Sequence, residues 1–287
     1  MRDPAAARTR GLLRVPQPYD FLASTRRFRS YGPDLANLWA DEGLHRVVNG
    51  RDVHIKAAPG GVLVEPLDAE TEPAVRQLLG LAVDLDSFFE WASADPVLAR
   101  IVAHLRGLRP TFWIDPFEAL VDCITAQQVS LFAAFAIRSR MTAQFGMPAG
   151  GGYAFPTRER LAAAREEELM SLGFPRRKAE YVIGLARSKL DLEGLSLLDD
   201  EEVKAAICME RGLGAWTADW FLARYLARPA AWPAGDLSLR KALALFYPQL
   251  VHERDAGRRF APFQNLTAQY LIAALADPPV LAQSSAR

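Results

Sequence analysis

The sequence predicts an α+β region at the N-terminus, residues 1–84, followed by an all-α region, residues 85–287. Three observations support this prediction. Short apolar pieces separated by Asn-Gly and Gly-Gly pairs precede residue 66, which is typical of antiparallel strands joined by tight turns. Beyond residue 84 the apolar positions recur at helical spacing. Gly, Pro and Asp residues separate these later segments, as expected for connections between helices.

The N-terminal region is predicted to contain a small antiparallel sheet. The apolar pieces 47–48, 53–55 and 62–64 form a meander, with turns at 49–52 and 59–61. A predicted helix over 72–81 follows the last strand. The region is therefore expected to form a small α+β unit.

The second region is predicted to be entirely helical. Apolar positions at helical spacing indicate one long helix over 117–145, and these positions begin with Leu120, Ile124, Val129 and Phe132. The other predicted helices are 86–92, 96–105, 158–170, 177–190, 201–209, 216–226, 237–246 and 263–275. No strand is expected beyond residue 84.

Charge and hydropathy exclude several classes of protein. Lysine and arginine together number 34, as do aspartate and glutamate, so the formal net charge is zero. A neutral chain does not bind phosphate tightly and indiscriminately, although local basic clusters stand at 176–178 and 240–241. No apolar run approaches the roughly 18 residues of a membrane span, and the N-terminus lacks the apolar core of a signal peptide. An intracellular protein is expected.

The cysteines and histidines show no spacing of the kind that binds a metal. Cys123 and Cys208 each lie in an apolar helical pattern and are predicted to be small core residues. Two cysteines cannot ligate a four-cysteine iron–sulfur cluster, and no His or Cys spacing fits a structural zinc site. No side-chain metal site is therefore expected.

The segment 201–226 predicts two helices joined by a tight turn at Gly212, Leu213 and Gly214. Glycine reverses the chain because it adopts positive φ, and Leu213 would point inward between the helices. The free N–H groups that open the second helix form a site where a phosphate can bind. A tight helical hairpin in a core is the alternative, and the Gly-x-Gly pattern alone favours that alternative.

Asp236 lies in the segment 229–240, between a Pro- and Gly-containing turn and the next predicted helix. Its simplest role is to cap that helix. A carboxylate fixed in this way could also stabilise an oxocarbenium-like sugar or orient a water molecule, as carboxylates do in glycoside hydrolysis. No second acid is paired with Asp236. A damaged base that already carries positive charge needs no proton to leave.

Trp216 and Trp220 lie four residues apart on one face of the second hairpin helix. Either tryptophan alone is best explained by core packing. As a pair beside the glycine turn, they could also form the floor of an electron-rich pocket. Such a pocket attracts a cationic alkylated base by about 0.5–2 kcal/mol.

The chain resembles the helix-hairpin-helix (HhH-GPD) DNA glycosylase superfamily, and within it the DNA-3-methyladenine glycosylase II (AlkA-like) group. The motifs that carry the resemblance are GLGAWTADWF, WPAGD followed by LR, LGFPRRKAEYVIGLA, DPFEALVDCITAQQVS and PYDF. The resemblance covers residues 18–277. It implies an α+β N-terminal domain followed by an all-α helix-hairpin-helix DNA glycosylase core.

The resemblance also implies roles for individual residues. Asp236 falls on the catalytic aspartate, and Trp220 on an aromatic position of the substrate pocket. Trp216 falls where bifunctional relatives carry a catalytic lysine, and a tryptophan cannot form a Schiff base. A monofunctional enzyme that leaves an abasic site is therefore expected.

The same resemblance implies a DNA-binding set. Its members are Gly212 and Gly214, whose amides would hold a phosphate, together with Thr217, Arg211 and Gln128. Gln128 falls where the family inserts a side chain into the gap left by a flipped base, although an ordinary polar residue at a helix end is the alternative. No cofactor is expected beyond a possible monovalent cation on backbone carbonyls of the hairpin, and no metal is expected on side chains.

Three segments depart from the family pattern. Arg211 replaces the proline that usually opens the hairpin turn, residues 262–267 replace a Pro-Trp-Arg-Ser-Tyr-Ala segment, and Ile272 replaces a pocket tryptophan. These changes leave the base preference open.

The function that the resemblance implies is a monofunctional glycosylase acting in base excision repair. It would hydrolyse the N-glycosidic bond of alkylated bases such as 3-methyladenine and 7-methylguanine in duplex DNA, as a monomer associated with the nucleoid. Two alternatives stay open: a glycosylase for oxidised or deaminated bases, and a non-catalytic module that binds damaged DNA.

Overall fold

The computed structural model describes residues 9–250 and 253–277. Within these residues, a five-stranded antiparallel sheet and a two-stranded hairpin accompany many helices. The strands are β1 (Gly11–Arg14), β2 (Asn37–Ala40), β3 (Gly43–Val48), β4 (Arg51–Ala58), β5 (Gly61–Glu65), β6 (Met147–Ala149) and β7 (Gly152–Ala154).

The helices fill most of the chain after the sheet. They are α1 (Phe21–Ser24), α2 (Arg27–Ser30), α3 (Glu72–Leu78), α4 (Leu85–Ala92), α5 (Pro96–His104), α6 (Pro116–Ala126), α7 (Leu131–Phe145), α8 (Arg158–Ala162), α9 (Glu166–Ser171), α10 (Arg176–Arg187), α11 (Asp200–Cys208), α12 (Ala215–Arg224), α13 (Leu237–Phe246), α14 (Glu253–Arg259) and α15 (Gln264–Leu275). Aspartate side chains accept backbone N–H groups at the starts of α4, α5, α6, α11 and α13, which is why these helices begin where they do.

The predicted meander is present as β3, β4 and β5, in a sheet of order β1-β5-β4-β3-β2. Its first turn consists of Asn49 and Gly50, with φ of 50° and 75°, the conformation that an Asn-Gly hairpin turn requires. Strands β1 and β2 were not predicted. β1 pairs with β5, about 50 residues away, and no local pattern reveals such a pairing.

The helical region is not free of strands, contrary to the prediction. β6 and β7 form a short antiparallel hairpin after α7. The hairpin packs on β3, and Gly151 N donates a hydrogen bond of 2.7 Å to Asp52 Oδ2 of β4. Strands of three residues are too short to show a period of two, so no apolar pattern marks β6 and β7 in the sequence.

The predicted long helix over 117–145 is also wrong, because α6 and α7 are separate helices. Gln127 leaves the helical conformation with ψ of 126°, Gln128 has φ of 53°, and Ser130 caps α7. The apolar periodicity runs across this break, which is why it predicted one helix. The predicted helix over 158–170 likewise divides into α8 and α9.

Buried hydrophobic residues form three clusters among the described residues. The first lies between the sheet, α1 and α3. The second is built from α6–α12. The third joins α4 and α5 to α13–α15, so the two ends of the helical region share one core. α12 and α13 follow each other in sequence but belong to different cores.

A network of buried charges connects the sheet to α6 and α7. Arg46 of β3 pairs with Glu118 of α6. Arg138 of α7 pairs with Asp34 and, at 2.6 Å, with Asp122 of α6. Each buried charge therefore has a partner of opposite sign, as a low-dielectric interior requires.

Candidate active site

The glycine turn, residues 212–214, connects α11 to α12 as predicted. Gly212 has φ of 88°, and a Cβ on this residue would collide with the ring of Tyr181. Position 212 therefore admits only glycine, for two independent reasons. Leu213 is buried in the same core as α11 and α12, which confirms that its side chain points inward.

Gly214 is the N-cap residue of α12 and is exposed. It has no side chain to accept the first N–H groups of the helix, and a Cβ built on it would meet nothing within 4 Å. Backbone N–H groups and the positive end of the helix dipole therefore face open space at this point. The arrangement suits an anion such as phosphate.

Asp236 caps α13, as predicted, and is held from two sides. Its Oδ1 accepts hydrogen bonds from the backbone N–H groups of Ser238 at 2.8 Å and Leu239 at 3.1 Å. Its Oδ2 accepts from the indole Nε1 of Trp216 at 3.2 Å and of Trp220 at 3.1 Å. Four donors therefore fix one carboxylate. The residue is half-buried, between exposed Gly235 and Leu237, so its surroundings open to solvent.

The two tryptophans present their N–H edges to Asp236, which sequence reasoning missed. Their separation of four residues lets both indoles reach one oxygen from the same face of α12. Trp220 also packs against the core built from α6–α12. The sequence showed the four-residue spacing of the tryptophans and an aspartate at a helix N-cap. This pattern indicated that the three residues are near each other in the chain, but it did not indicate the hydrogen bonds between them.

Gln128 is exposed in the turn between α6 and α7, with φ of 53°. Its neighbour Gln127, which was not predicted, donates from Nε2 to Gly212 O at 2.9 Å. Lys178 donates from Nζ to Thr125 O at 2.8 Å. The turn that carries Gln128 is therefore tied to the glycine turn and to α10.

The other predicted DNA-binding residues differ in accessibility. Arg211 is exposed, pairs with Glu180 at 3.1 Å and lies over the ring of Tyr181. The side chain of Thr217 is buried, so Thr217 can offer DNA only its backbone amide in the first turn of α12. Arg176 and Arg177 are exposed, whereas Lys178 is buried and does not belong to a basic surface. Burial lowers the pKa of Lys178.

Backbone carbonyls at the end of α11 and in the glycine turn are the ligand type that a monovalent cation takes. Two of them already accept protein hydrogen bonds, Glu210 O from Leu213 N and Gly212 O from Gln127. Among the described residues, no group of His, Cys, Asp and Glu could hold a metal ion.

Cys123 is buried as predicted, but Cys208 is exposed at the end of α11, so its assignment to the core was wrong.

A cavity of about 10 Å³ among the buried charges has room for about one water molecule and none for a base. Ile272 is partly buried against the core of α4, α5 and α13–α15. No helix in the described part of the chain is long and apolar enough to cross a membrane.

Comparison with known proteins gives matches across most of the chain. Residues 121–253 match the family model of the HhH-GPD superfamily base excision DNA repair proteins. A DNA-3-methyladenine glycosylase of Bacillus subtilis is 32% identical over 173 residues, which cover 58% of this chain and 57% of the relative. The chain spans about half the length of the first curated relatives it matches.

Solved structures share the fold. A 3-methyladenine DNA glycosylase from Archaeoglobus fulgidus superimposes with a TM-score of 0.81 at 23% identity, over 93% of this chain and 98% of that one. The Schizosaccharomyces pombe 3-methyladenine DNA glycosylase Mag1, in complex with abasic DNA, matches with a TM-score of 0.56 at 25% identity. That match covers 65% of this chain and 95% of Mag1.

Proposed function

We propose that this chain, whose residues 121–253 match the family model of the HhH-GPD superfamily base excision DNA repair proteins, is a member of that superfamily and a monofunctional DNA glycosylase for alkylated bases. It hydrolyses the N-glycosidic bond of bases such as 3-methyladenine and 7-methylguanine in duplex DNA. The observation that carries the proposal is the geometry of Asp236, whose carboxylate is fixed by four donors at the start of α13.

Asp236 is the residue that acts on the sugar. Departure of the base leaves positive charge on the deoxyribose, and a nearby carboxylate of fixed orientation stabilises that charge. Because its two oxygens are already oriented by backbone and indole N–H groups, no reorganisation is needed as the charge develops. An alkylated base that carries positive charge leaves without a proton, which suits a site with one acid.

The glycine turn binds the phosphate backbone of the DNA. A phosphate beside the target nucleotide accepts N–H groups at Gly214 and the first turn of α12. Arg211, Arg176 and Arg177 add positive charge at exposed positions. A monovalent cation on carbonyls of the turn would neutralise part of the phosphate charge.

Base flipping brings the lesion to Asp236. Extrusion costs least for a damaged base that pairs weakly, which contributes to selectivity. Trp216 and Trp220 line the pocket and attract a cationic base through their rings. Gln128 enters the gap that the base leaves in the duplex. The partner is damaged double-stranded DNA, bound by a monomer, and this substrate places the protein inside the cell at the nucleoid.

We also propose that the chain divides into an α+β domain, residues 1–84, and a helical glycosylase core, residues 85–287. The separate hydrophobic cluster between the sheet, α1 and α3 supports the first domain. The β6–β7 hairpin lies within the second range, between α7 and α8. Residues 1–8, 251–252 and 278–287 of these ranges lie outside the described residues.

The test is the substitution Asp236→Asn. Asparagine caps a helix as well as aspartate does, so the variant should fold and should retain most of its affinity for DNA. Release of methylated bases should fall by about 10²–10³-fold or more, because the negative charge beside the sugar is lost. The assay follows free 3-methyladenine and 7-methylguanine from methylated duplex DNA.

Asp199→Asn makes the same change at the N-cap of α11 and should leave base release unchanged. Wild-type-like release by Asp236→Asn would remove Asp236 from the mechanism.

The alternative functions are tested by the same assay run on duplexes with single lesions. Release of oxidised or deaminated bases alone would assign a different specificity, and release of none would leave a damage-binding module.

A further inference from the structure

Three large apolar side chains are exposed within four residues where the turn after α6 leads into α7. The exposed fractions are 36% for Val129, 41% for Leu131 and 63% for Phe132. These residues are called the apolar tip. Single exposed apolar residues are ordinary on protein surfaces, whereas a group of them at one turn indicates a contact surface.

The protein holds the apolar tip in place. The ring of Phe132 meets the ring of Tyr31 edge-on at 5.5 Å, and Phe135 lies 5.4 Å from the same ring. Ser130 Oγ accepts the amide of Ala133 at 3.2 Å and caps α7. One side of the Phe132 ring is therefore fixed by Tyr31, and the rest is presented to solvent.

The turn that leads into the apolar tip is hydrogen-bonded to the glycine turn. The hydrogen bond from Gln127 Nε2 to Gly212 O joins the residue before Gln128 to the turn that carries Gly214. We therefore expect a DNA strand held by the amides at Gly214 to pass near the turn that carries Gln127 and Gln128.

The apolar tip has no charge with which to attract phosphate. Residues 123–137 contain no Asp, Glu, Lys or Arg. The flanking charges, Asp122 and Arg138, are buried and paired with each other at 2.6 Å. Phosphate contacts need cations or amides, whereas exposed Phe and Leu side chains insert between base steps. The uncharged, apolar side chains of the apolar tip therefore suit contact with stacked bases rather than with phosphates.

We propose that the apolar tip contacts the bases that border the flipped nucleotide, with Phe132 stacking on one of them. This inference rests on the proposed function, because it takes duplex DNA as the partner. Gln128 is polar and fills the vacated gap with little stacking. The apolar contact that keeps the duplex open comes instead from Leu131 and Phe132.

The test measures binding to a duplex with a central tetrahydrofuran abasic-site analogue, at several salt concentrations. Phe132→Ala should lower the affinity about tenfold, the usual loss when an aromatic side chain stacked on a base is removed. The salt dependence should not change, because no phosphate contact is lost. Leu197→Ala truncates an apolar side chain that is 88% exposed elsewhere and should bind like wild type.

The substitution Phe132→Lys distinguishes a contact of residue 132 with the base stack from a contact with the phosphate backbone. A lysine that meets bases should weaken binding, whereas one that meets phosphate should strengthen binding and steepen the salt dependence. Either that strengthening or wild-type affinity for Phe132→Ala would overturn the inference. Leu131→Ala leaves the contact between Phe132 and Tyr31 in place and should also weaken binding without a loss of thermal stability.

The proposed function is read out separately, as base release from methylated DNA by the wild-type protein. A wild-type protein that releases no base contradicts the proposed function. The affinities of the Phe132 variants for the abasic duplex still decide the role of the apolar tip.

Discussion

Asp236 and the two indoles that donate to it show how single residues build the site. A hydrogen bond to a charged group contributes about 1.5–3 kcal/mol, so each indole N–H contributes to the orientation of the carboxylate. Trp216 and Trp220 donate to the same oxygen. Their two hydrogen bonds should therefore be coupled, with each partly compensating for loss of the other.

Trp216→Phe and Trp220→Phe remove one N–H donor each and keep an aromatic ring. Each variant should lower the single-turnover rate of base release at saturating enzyme by about tenfold, the effect of about 1.4 kcal/mol. The double variant should lose more than the sum of the two free energies, because Oδ2 then lacks both indole donors.

Trp39→Phe, on β2 of the sheet, is the matched control and should release base at the wild-type rate. Unchanged rates in both single variants would show that the indole N–H groups do not position Asp236.

At the level of elements, the hairpin of α11 and α12 was predictable and the break between α6 and α7 was not. The hairpin has a local signature, since Gly212 and Gly214 reverse the chain between two apolar faces. The break depends on Gln128 adopting positive φ. Glutamine rarely adopts this conformation, so its presence in the sequence does not indicate a break. The hydrogen bond of Gln127 to Gly212 O compensates part of that cost and joins residues 85 positions apart.

The two glycines of the turn should respond differently to alanine. Gly212→Ala should lower the free energy of unfolding by at least about 1–2 kcal/mol, because alanine disfavours positive φ and its Cβ would meet Tyr181. Gly214→Ala should unfold like wild type, because its φ of −133° is ordinary and its Cβ enters open space. Urea unfolding of both variants measures the difference.

Gly214→Ala should instead weaken DNA binding, because its methyl group occupies space through which a phosphate approaches the amides. The slope of log affinity against log salt should stay close to that of the wild type, because the lost donors are uncharged amides and no cation is removed from a phosphate. Equal affinity for Gly214→Ala and wild type would place the phosphate elsewhere.

For the whole molecule, the sequence predicted the sheet and the helical region but not what joins them. The meander of β3–β5 has local turn signals, whereas the pairing of β1 with β5 and the packing of β7 on β3 are long-range. The buried charges are likewise long-range, since Asp34 and Arg138 are 104 residues apart. No local pattern in the sequence indicates that these charged residues are buried or which of them are paired.

The charge network should make folding stability depend on pH. Burial raises the pKa of Asp122 from 3.8 to about 6; Arg138 opposes this shift, and Glu118 and Asp34 add to it. Between pH 4 and 6 the folded protein therefore binds more protons at Asp122 than the unfolded chain does. The contribution of Asp122 to the free energy of unfolding should fall as pH rises through this window and level off above it.

Asp122→Asn should remove this contribution. Its denaturant unfolding curves, measured from pH 4 to pH 7, should lose the decline between pH 4 and 6 that Asp122 gives the wild-type protein. The same pH dependence in both proteins would show that Asp122 does not titrate in this range.

The division of α12 and α13 between two cores has a consequence for synthesis of the protein. The core that holds α13 also needs α15, so it cannot close until α15 has left the ribosome. The core that holds α12 can close earlier, because α6–α12 precede α13 in the chain. A nascent chain that stops before α15 should consequently remain harmless to the genome, because Asp236 is not yet fixed beside the indoles of α12.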